Sequence, residues 1–302
     1  MQQLTIALDW TPNINHIGFF IAQEKGFYKD RGLDVTLVDP SADNYQITPA
    51  KKIELGQADF ALCPTESVIS YRTKSKAFPM IGVAAILQED LSAIAVLANA
   101  QINSPKDMDG KTYSSYKARY EDGIVREMIK NDGGKGELNI VYPDKLGIWN
   151  TLLQGEADST WIFLNWEGVA AEGSNHSLSY FNLRDYDIPY SYSPLLVANE
   201  ATLDAQENTY KAFLQATKEG YLYSQEAPEE AVTILQSMLP ETDKDIDLAR
   251  ALEISSPHFG NQTNWGRLDE RLVKRFLDWI YEKGLESQPL QVEELVTNRL
   301  LS

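Results

Sequence analysis

Short apolar runs alternate with helix-like segments along the chain. The runs LTIALDW (4–10), LDVTLVD (33–39) and ADFALCP (58–64) are typical of strands, and the segments 17–32 and 49–57 between them are typical of helices. Strands separated by helices of this length indicate βαβ units and a mainly parallel sheet. We therefore predict an α/β fold.

The same alternation continues to about residue 200, and the rest of the chain is almost entirely helical. Further strands are predicted at 78–87, 92–98, 111–116, 138–143, 157–164, 178–183 and 193–200. Further helices are predicted at 65–75, 120–134, 145–156, 167–173, 203–226, 228–239, 243–255, 268–284 and 292–301.

Two segments of the chain resemble each other. KIELGQADFALCPTESV and TLLQGEADSTWIFLNWEGV share the order helix, glycine, Ala-Asp, strand, polar turn and helix. Each half of the chain is therefore predicted to carry a strand that ends at a comparable loop. Ligands of open α/β sheets bind beyond the carboxyl ends of strands. We predict two α/β lobes with a ligand cleft between them, with lobe I at 1–93 and 197–302 and lobe II at 94–196.

Composition excludes several classes of function. The chain has 302 residues, which suffices for two lobes, and its formal net charge of −17 disfavours nucleic acid and anionic lipid as partners. Cys63 is the only cysteine, so neither an intrachain disulfide nor a multi-cysteine metal site is expected. The three histidines are far apart in sequence, and no metal or cofactor is predicted. We expect a monomer.

The N-terminal sequence MQQLTIALDW has neither the basic region nor the long apolar region of a signal peptide. We therefore expect an extracytoplasmic protein, periplasmic or lipid-anchored, if a leader was removed. If Met1 is the native start, we expect a cytoplasmic protein. No apolar run approaches the length of about 18 residues that a membrane helix needs.

Aromatic, amide and carboxylate side chains gather at the predicted strand ends, whereas common catalytic motifs such as GxGxxG, the P-loop and GxSxG are missing from the sequence. Flat rings beside carboxylates suit a flat, nitrogen-rich ligand, because a ring can stack on it and a carboxylate can accept hydrogen bonds from its amino and ring N–H groups. We assign no catalytic residue. The candidate ligand-binding residues are Asp9, Trp10, Asn13, His16, Cys63, Thr65, Glu66, Tyr116, Trp161, Glu167, Tyr190 and Tyr192.

Several candidates also have a purely structural interpretation. Trp10 can equally well be a core residue, and Asp9 can be a helix N-cap. Glu167 at a helix start is favoured by the helix dipole without any ligand. His16 fits a hydrogen-bonding role at a helix start better than that of a catalytic base, and Cys63 fits a small buried residue better than a nucleophile.

The segment LDWTPNINHIGFFIAQEKGFYKDRGLDVTLV resembles the opening of the thiamine-pyrimidine family, and the likeness continues through ELGQADFAL, SPKDMDGKTYSSY, WEGVAAE and YSYSPLLVANE. This family includes the ThiY-type substrate-binding proteins of ABC importers and the fungal pyrimidine synthase. The resemblance implies a type II periplasmic-binding-protein fold and a ligand such as formylaminopyrimidine or hydroxymethylpyrimidine. It also implies that Trp10 is the stacking tryptophan and Glu167 the ligand carboxylate, with Tyr190 and Tyr192 in the second crossover.

The resemblance favours a binding protein over an enzyme. For the synthase, the resemblance implies a lysine that binds pyridoxal phosphate and a histidine that the enzyme itself consumes, both just after the strand equivalent to ADFAL. Residues 63–67 of this chain, CPTES, contain neither, and the cysteine-rich segment of the synthase is missing from the sequence. The implied partners are a small heteroaromatic ligand and the membrane subunits of an ABC importer.

Other functions remain open at this point. One is a cytoplasmic pyrimidine-biosynthesis enzyme of the same family. Others are the binding of a riboflavin-like heteroaromatic, an alkylsulfonate or nitrate. An anion requires an arginine or a helix N-terminus, and SSYKARYED (114–122) supplies Lys117, Arg119 and a predicted helix start. The same segment could also hold a phosphate group on a pyrimidine.

Overall fold

The computed structural model describes residues 1–174 and 176–301, which form two compact units. The first unit contains Met1–Asp90, Ser191–Lys274 and the residues from Gln288 onward, and the second contains Leu91–Tyr190 and Arg275–Ser287. These units differ from the predicted lobes mainly in residues 275–287, which we predicted in lobe I and which pack with the second unit.

Each unit has a mixed five-stranded sheet. In the first unit the strands are β1 (Gln2–Ala7), β2 (Leu33–Val38), β3 (Phe60–Cys63), β4 (Met80–Ala85) and β10 (Leu195–Asn199). In the second they are β5 (Ser92–Leu97), β6 (Thr112–Ser114), β7 (Asn139–Val141), β8 (Ser159–Phe163) and β9 (Leu178–Asn182).

The two sheets share one topology. Their strand orders are β2-β1-β3-β10-β4 and β7-β6-β8-β5-β9. Strand β1 is parallel to β2 and β3, as β6 is to β7 and β8, whereas β10 and β5 are antiparallel to both of their neighbours. The α/β class is confirmed, but the mainly parallel sheet is wrong. The strand that leads the chain into the second unit, and the strand that leads it back, each insert against the direction of their neighbours.

The helices are α1 (Ile17–Glu24), α2 (Pro49–Glu54), α3 (Thr65–Thr73), α4 (Glu121–Asn131), α5 (Ile148–Leu153), α6 (Glu167–Glu172), α7 (Leu203–Glu226), α8 (Pro228–Met238), α9 (Leu248–Ser255) and α10 (Glu270–Glu282). Most predicted helices and strands are confirmed with shorter ends. The helix predicted at 17–32 stops at Glu24, and a separate 3₁₀ turn ends at Gly32, whose φ of 71° suits glycine.

The helix predicted at 292–301 is wrong. Only Val292–Glu294 form a 3₁₀ turn, and the chain then runs along the edge of the first sheet. The N–H of Gly82 donates to the carbonyl of Leu295, and the N–H of Thr297 donates to the carbonyl of Gly82. Because these backbone groups bind to strand β4, they are not available for a helix.

Helices α1 and α7 pack with direct backbone contact in the first unit. A Cβ atom added at Gly220 would lie 2.0 Å from the carbonyl oxygen of Gly18, so only glycine fits at this crossing. On the next residue of α7, the buried hydroxyl of Tyr221 donates to the carbonyl of Asn15, just before α1. Helix α7 therefore fixes the loop between β1 and α1.

Candidate functional site

The internal sequence repeat corresponds to a structural repeat. In the first unit, the backbone N–H of Thr5 donates to the Asp59 carboxylate at 2.8 Å, and the Asp59 N–H donates to the Thr5 carbonyl at 2.9 Å. In the second unit, Thr112 and Asp158 make the same two bonds at 2.8 and 2.9 Å. These aspartates join β3 to β1 and β8 to β6. The paired strands are parallel, so the loops that follow them lie together at the carboxyl ends of the strands.

The loop after β1 contains a buried histidine in contact with a carboxylate. Nε2 of His16 lies 2.7 Å from Oδ1 of Asp9, and the His16 side chain is 0% exposed while that of Asp9 is 20% exposed. Asn13 is also buried, and its side chain accepts from the Asn15 N–H and donates to the Thr11 carbonyl. Of the predicted residues in this loop, Asn13 and His16 therefore brace it, and Asp9 reaches the surface.

Trp10 is half-buried and forms a pair with Tyr45, a residue that our sequence analysis missed. The two ring centroids are 5.9 Å apart and the ring planes are tilted by 57°. Tyr45 and the preceding Asn44 have φ values of 58° and 52°, a left-handed conformation that non-glycine residues seldom adopt. Such backbone strain is commonly found at functional sites. The only available signal was the position of Tyr45 in the loop that follows β2.

Tyr45 interacts electrostatically with Asp9 and Cys63, which lie at the ends of β1 and β3. Burial raises the pKa of its hydroxyl well above the ordinary value, and the Asp9 carboxylate adds to the rise, followed by Cys63. Since Ala7 of β1 is level with Ala61 of β3, the carboxyl ends of these two parallel strands lie on the same side of the sheet. Asp9, Trp10, Tyr45 and Cys63 therefore form one group, which we call the Trp10 cluster.

Cys63 is buried as the last residue of β3. Burial first, and then the Asp9 carboxylate, raise the pKa of its thiol far above the ordinary value, so the thiol stays protonated at neutral pH. The next loop is held by Thr65, whose N–H and hydroxyl both donate to the Tyr192 carbonyl at 3.0 Å. Glu66 follows as a buried residue of α3.

Tyr192 is part of the framework of the first unit. Its side chain is buried, and its hydroxyl accepts a 2.7 Å hydrogen bond from the backbone N–H of Asp269. Its backbone carbonyl holds Thr65 as described above. These contacts at both ends of the residue indicate that Tyr192 positions the loop after β3, and they explain its aromatic identity without a ligand.

The loop after β6 is organised by a carboxylate that the sequence analysis did not single out. Oε1 of Glu121 accepts from the Tyr113 hydroxyl at 2.7 Å and from the Tyr116 N–H at 3.0 Å, and Oε2 accepts from the Ala118 N–H at 3.2 Å. Lys117 between them has a φ of 60°. Glu121 is 3% exposed, and burial raises the pKa of its carboxyl above the ordinary value, although these hydrogen bonds oppose the rise.

The two cations of this loop contact other groups. Arg119 lies 2.8 Å from the carboxylate of Glu286, and the Lys117 ammonium lies over the Tyr142 ring, 5.4 Å from its centroid. Because Glu121 already binds the loop N–H groups, the features that suggested an alkylsulfonate or nitrate site are engaged by the protein itself. The anion alternatives are therefore not favoured.

The loop after β8 ends at Glu167, the first residue of α6. Its Oε2 accepts a 2.9 Å hydrogen bond from the backbone N–H of Phe163, and its side chain is largely buried. The neighbouring Asn165 and Trp166 are buried as well. This carboxylate therefore lies at the end of β8, with one oxygen bound to the backbone.

A second aromatic group lies in the same unit. The ring of Tyr190 is 5.1 Å from the Trp161 ring and 5.1 Å from the Phe276 ring. Trp161 is 8% exposed and Tyr190 is half-buried. The structure thus brings two of the predicted aromatic residues together and adds Phe276 of α10, which had no recognisable sequence signal.

Within residues 1–174 and 176–301, no group of three or more His, Cys, Asp or Glu side chains is arranged to hold a metal ion. The same described residues include no helix that is long and apolar enough to cross a membrane.

The fold is that of the periplasmic binding proteins, with an α/β sheet in each of two lobes. A Candida albicans protein described as having the generic periplasmic binding protein structural fold is similar with a TM-score of 0.74 and 15% identity, over 99% of this chain and 97% of that chain. The family model described as NMT1/THI5 like matches residues 13–231, more than half of the chain. The chain belongs to the NMT1/THI5-like family.

Relatives in this family include a binding protein and an enzyme. The formylaminopyrimidine-binding protein of Halalkalibacterium halodurans is 29% identical over 97% of this chain and 89% of its own length. The 4-amino-5-hydroxymethyl-2-methylpyrimidine phosphate synthase of Legionella pneumophila is 25% identical over 79% of this chain and 74% of its own length. The resemblance inferred from the sequence motifs is confirmed.

Proposed function

We propose that this protein reversibly binds a thiamine-precursor pyrimidine, such as formylaminopyrimidine or hydroxymethylpyrimidine, for uptake by an ABC importer. The observation that carries the proposal is the Trp10 cluster, in which a half-buried aromatic pair lies beside the Asp9 carboxylate at the common edge of β1 and β3. The 29% identity to a formylaminopyrimidine-binding protein supports the same ligand class.

The chemistry of the cluster suits an aminopyrimidine. A flat heteroaromatic ring can stack on Trp10 or Tyr45, which contributes about 0.5–1.5 kcal/mol beyond area burial. The exposed part of the Asp9 carboxylate can accept a hydrogen bond from an exocyclic amino group, and a bond to a charged acceptor contributes about 1.5–3 kcal/mol. His16 behind Asp9 holds this carboxylate in place at 2.7 Å.

The second unit offers a comparable set of groups. Glu167 is a carboxylate bound to the backbone at the end of β8, and the buried Trp161 forms an aromatic pair with the half-buried Tyr190. We propose that these three residues also contact the ligand, as the family resemblance implies. Tyr116, Thr65 and Glu66 are proposed to shape the neighbouring loops.

We further propose that the protein is a binder without catalytic activity. At the end of β3, where the family resemblance implies a lysine and a histidine in the synthase, the segment Cys63–Ser67 contains neither, and the Cys63 thiol is buried and protonated. The protein should therefore form no imine with pyridoxal phosphate. An absorption band that borohydride removes, with the label mapped to a lysine, would contradict this proposal. An extracytoplasmic location and monomeric binding to the importer complete the proposal.

The direct test is to identify the bound compound. Native mass spectrometry of the purified protein, followed by calorimetry with 4-amino-5-hydroxymethyl-2-methylpyrimidine and formylaminopyrimidine, should show one site of micromolar or tighter affinity. Riboflavin, an alkanesulfonate and nitrate serve as comparison ligands. Binding of one of these instead, with no heat from either pyrimidine, would replace the proposed ligand class.

A further inference from the structure

The N-terminus of helix α4 has the groups of an anion site, and the chain fills that site with its own carboxylate. The N–H groups of Tyr116 and Ala118 and the hydroxyl of Tyr113 all donate to Glu121. Three donors that converge on one carboxylate, beside a helix start, are the arrangement by which proteins bind phosphate groups.

This loop has the same place in the second unit as the Trp10 loop has in the first. Strands β6 and β1 occupy the same position in the two sheet orders, and each is tied to the strand on one side by the Asp158 or Asp59 hydrogen bonds. Ligands of open α/β sheets bind at the carboxyl ends of strands. The loop after β6 therefore lies where a ligand of this sheet would bind.

We propose that Glu121 is a specificity residue that makes the protein bind an unphosphorylated pyrimidine and reject its monophosphate, an inference that rests on the function proposed above. The carboxylate occupies the N–H groups that a phosphate would need, and its charge repels a dianion. Asp122, at the same helix start, accepts instead from the Ser115 and Tyr142 hydroxyls.

The two kinds of relative make this distinction relevant. One is described as a formylaminopyrimidine-binding protein, and the other as a synthase of a pyrimidine phosphate. Both an unphosphorylated and a phosphorylated pyrimidine are therefore named among the relatives of this chain. Glu121 is 3% exposed, and moving its side chain aside would leave three donors without this acceptor, which is unfavourable.

The experiment compares 4-amino-5-hydroxymethyl-2-methylpyrimidine with its monophosphate by calorimetry. The wild-type protein should prefer the unphosphorylated alcohol by about 100-fold or more. The phosphate group finds its N–H donors occupied, and the Glu121 carboxylate repels it. In Glu121→Ala, which frees both N–H groups, the preference should fall to about 10-fold or less through tighter binding of the phosphate. Equal wild-type affinities for the two compounds would overturn the proposal, whether or not any variant folds.

The matched control is Asp122→Asn. It removes the same charge from the adjacent residue but leaves the Tyr116 and Ala118 N–H groups bound to Glu121. Its preference should change by about twofold at most. A change as large as that in Glu121→Ala would show that net charge, rather than occupation of the N–H groups, causes the rejection.

A second measurement does not depend on the pyrimidine. Amide NMR signals of Tyr116 and Ala118 are followed while inorganic phosphate is added. They should shift in Glu121→Ala and stay in place in the wild-type protein. If the alcohol fails to bind at all, the proposed function fails, and these shifts still decide whether Glu121 closes an anion site. Amide signals that do not shift in a folded Glu121→Ala protein would refute the proposal that Glu121 closes an anion site.

Discussion

The loops after β1 and β6 start from the same position of the same topology, yet they place their carboxylates in opposite ways. In the first unit, Asp9 is bound from behind by His16 and keeps 20% of its side chain exposed. In the second, Glu121 is turned inward and binds the N–H groups of its own loop. Loops at equivalent places of a repeated scaffold can thus carry their carboxylates differently, and the local hydrogen bonds decide whether a carboxylate can contact a ligand.

The loops after β3 and β8 show a smaller difference of the same kind. Both carry a glutamate in the first turn of the following helix, Glu66 in α3 and Glu167 in α6, and both are buried. The loop after β3 is tied to the second crossover by Thr65 and Tyr192, whereas Glu167 binds back to Phe163 on its own strand. One loop is thus braced by a distant segment, and the other by its own glutamate.

The largest expected effect comes from the open loop of the first unit. Trp10→Ala should weaken pyrimidine binding by about 2–4 kcal/mol, because a partly exposed aromatic anchor is lost. The melting temperature of the ligand-free protein should change little, since Trp10 is only half-buried. Calorimetry and thermal melts measure the two quantities.

The control for Trp10 is Trp149→Ala, which removes a partly buried tryptophan of α5 that packs against a cluster of Leu152 with Ala95 and Ile162 of the sheet in the second unit. It should lower stability and leave affinity unchanged. If Trp10→Ala instead unfolds the protein at a much lower temperature with normal affinity, Trp10 is a core residue, for which a loss of about 3–5 kcal/mol is typical.

The next effect concerns the second unit. Glu167→Gln should weaken pyrimidine binding by about 1.5–3 kcal/mol, the range for a hydrogen bond to a charged acceptor. The amide oxygen can still accept from the Phe163 N–H, so the fold should persist. Glu172→Gln, at the exposed end of the same helix, is the control in calorimetry. Unchanged affinity in Glu167→Gln would remove this residue from the site.

A smaller effect separates framework from site. Tyr192→Phe deletes the hydroxyl that accepts from the Asp269 N–H, so it should reduce the free energy of unfolding by about 1 kcal/mol. Pyrimidine affinity should stay within about twofold, because the bond lies within the framework. Urea denaturation and calorimetry test both statements. A large loss of affinity at unchanged stability would return Tyr192 to the ligand-binding residues.

The smallest effect is the pH dependence that Glu121 adds. Burial raises the pKa of Glu121 in the folded protein above its ordinary value of 4.5, so the folded state retains this proton to higher pH than the unfolded state. Its contribution to stability is therefore greatest below the unfolded pKa and declines as pH rises through the folded pKa. Glu121→Gln lacks this decline.

Urea denaturation of the wild-type and Glu121→Gln proteins between about pH 4 and pH 7 measures this difference. The stability of the wild-type protein relative to the variant should fall as the pH increases. Parallel pH profiles would show that the Glu121 pKa is the same in the folded and unfolded states.

The order of strands and helices, and the places where strands end, could be predicted from the sequence. The periodicity of apolar residues predicts strands and helices. The repeated Ala-Asp pairs mark equivalent positions because Asp59 and Asp158 make the same hydrogen bonds. The family motifs in LDWTPNINH and WEGVAAE also predicted the family. These features are local, so they can be read without knowledge of the packing.

The directions of β5 and β10, the path of the chain after Glu294 and the contacts of the individual site residues became visible only in the folded structure. The sequence shows that Asp9, His16 and Asn13 lie in one loop, but it does not show which of them is buried. It gave no signal for the Trp10–Tyr45 pair or the inward turn of Glu121, because both depend on contacts between segments that are distant in the chain or on backbone with positive φ. Burial and hydrogen-bond partners are properties of the packed fold, and they separate a carboxylate that can meet a ligand from one that closes its own loop.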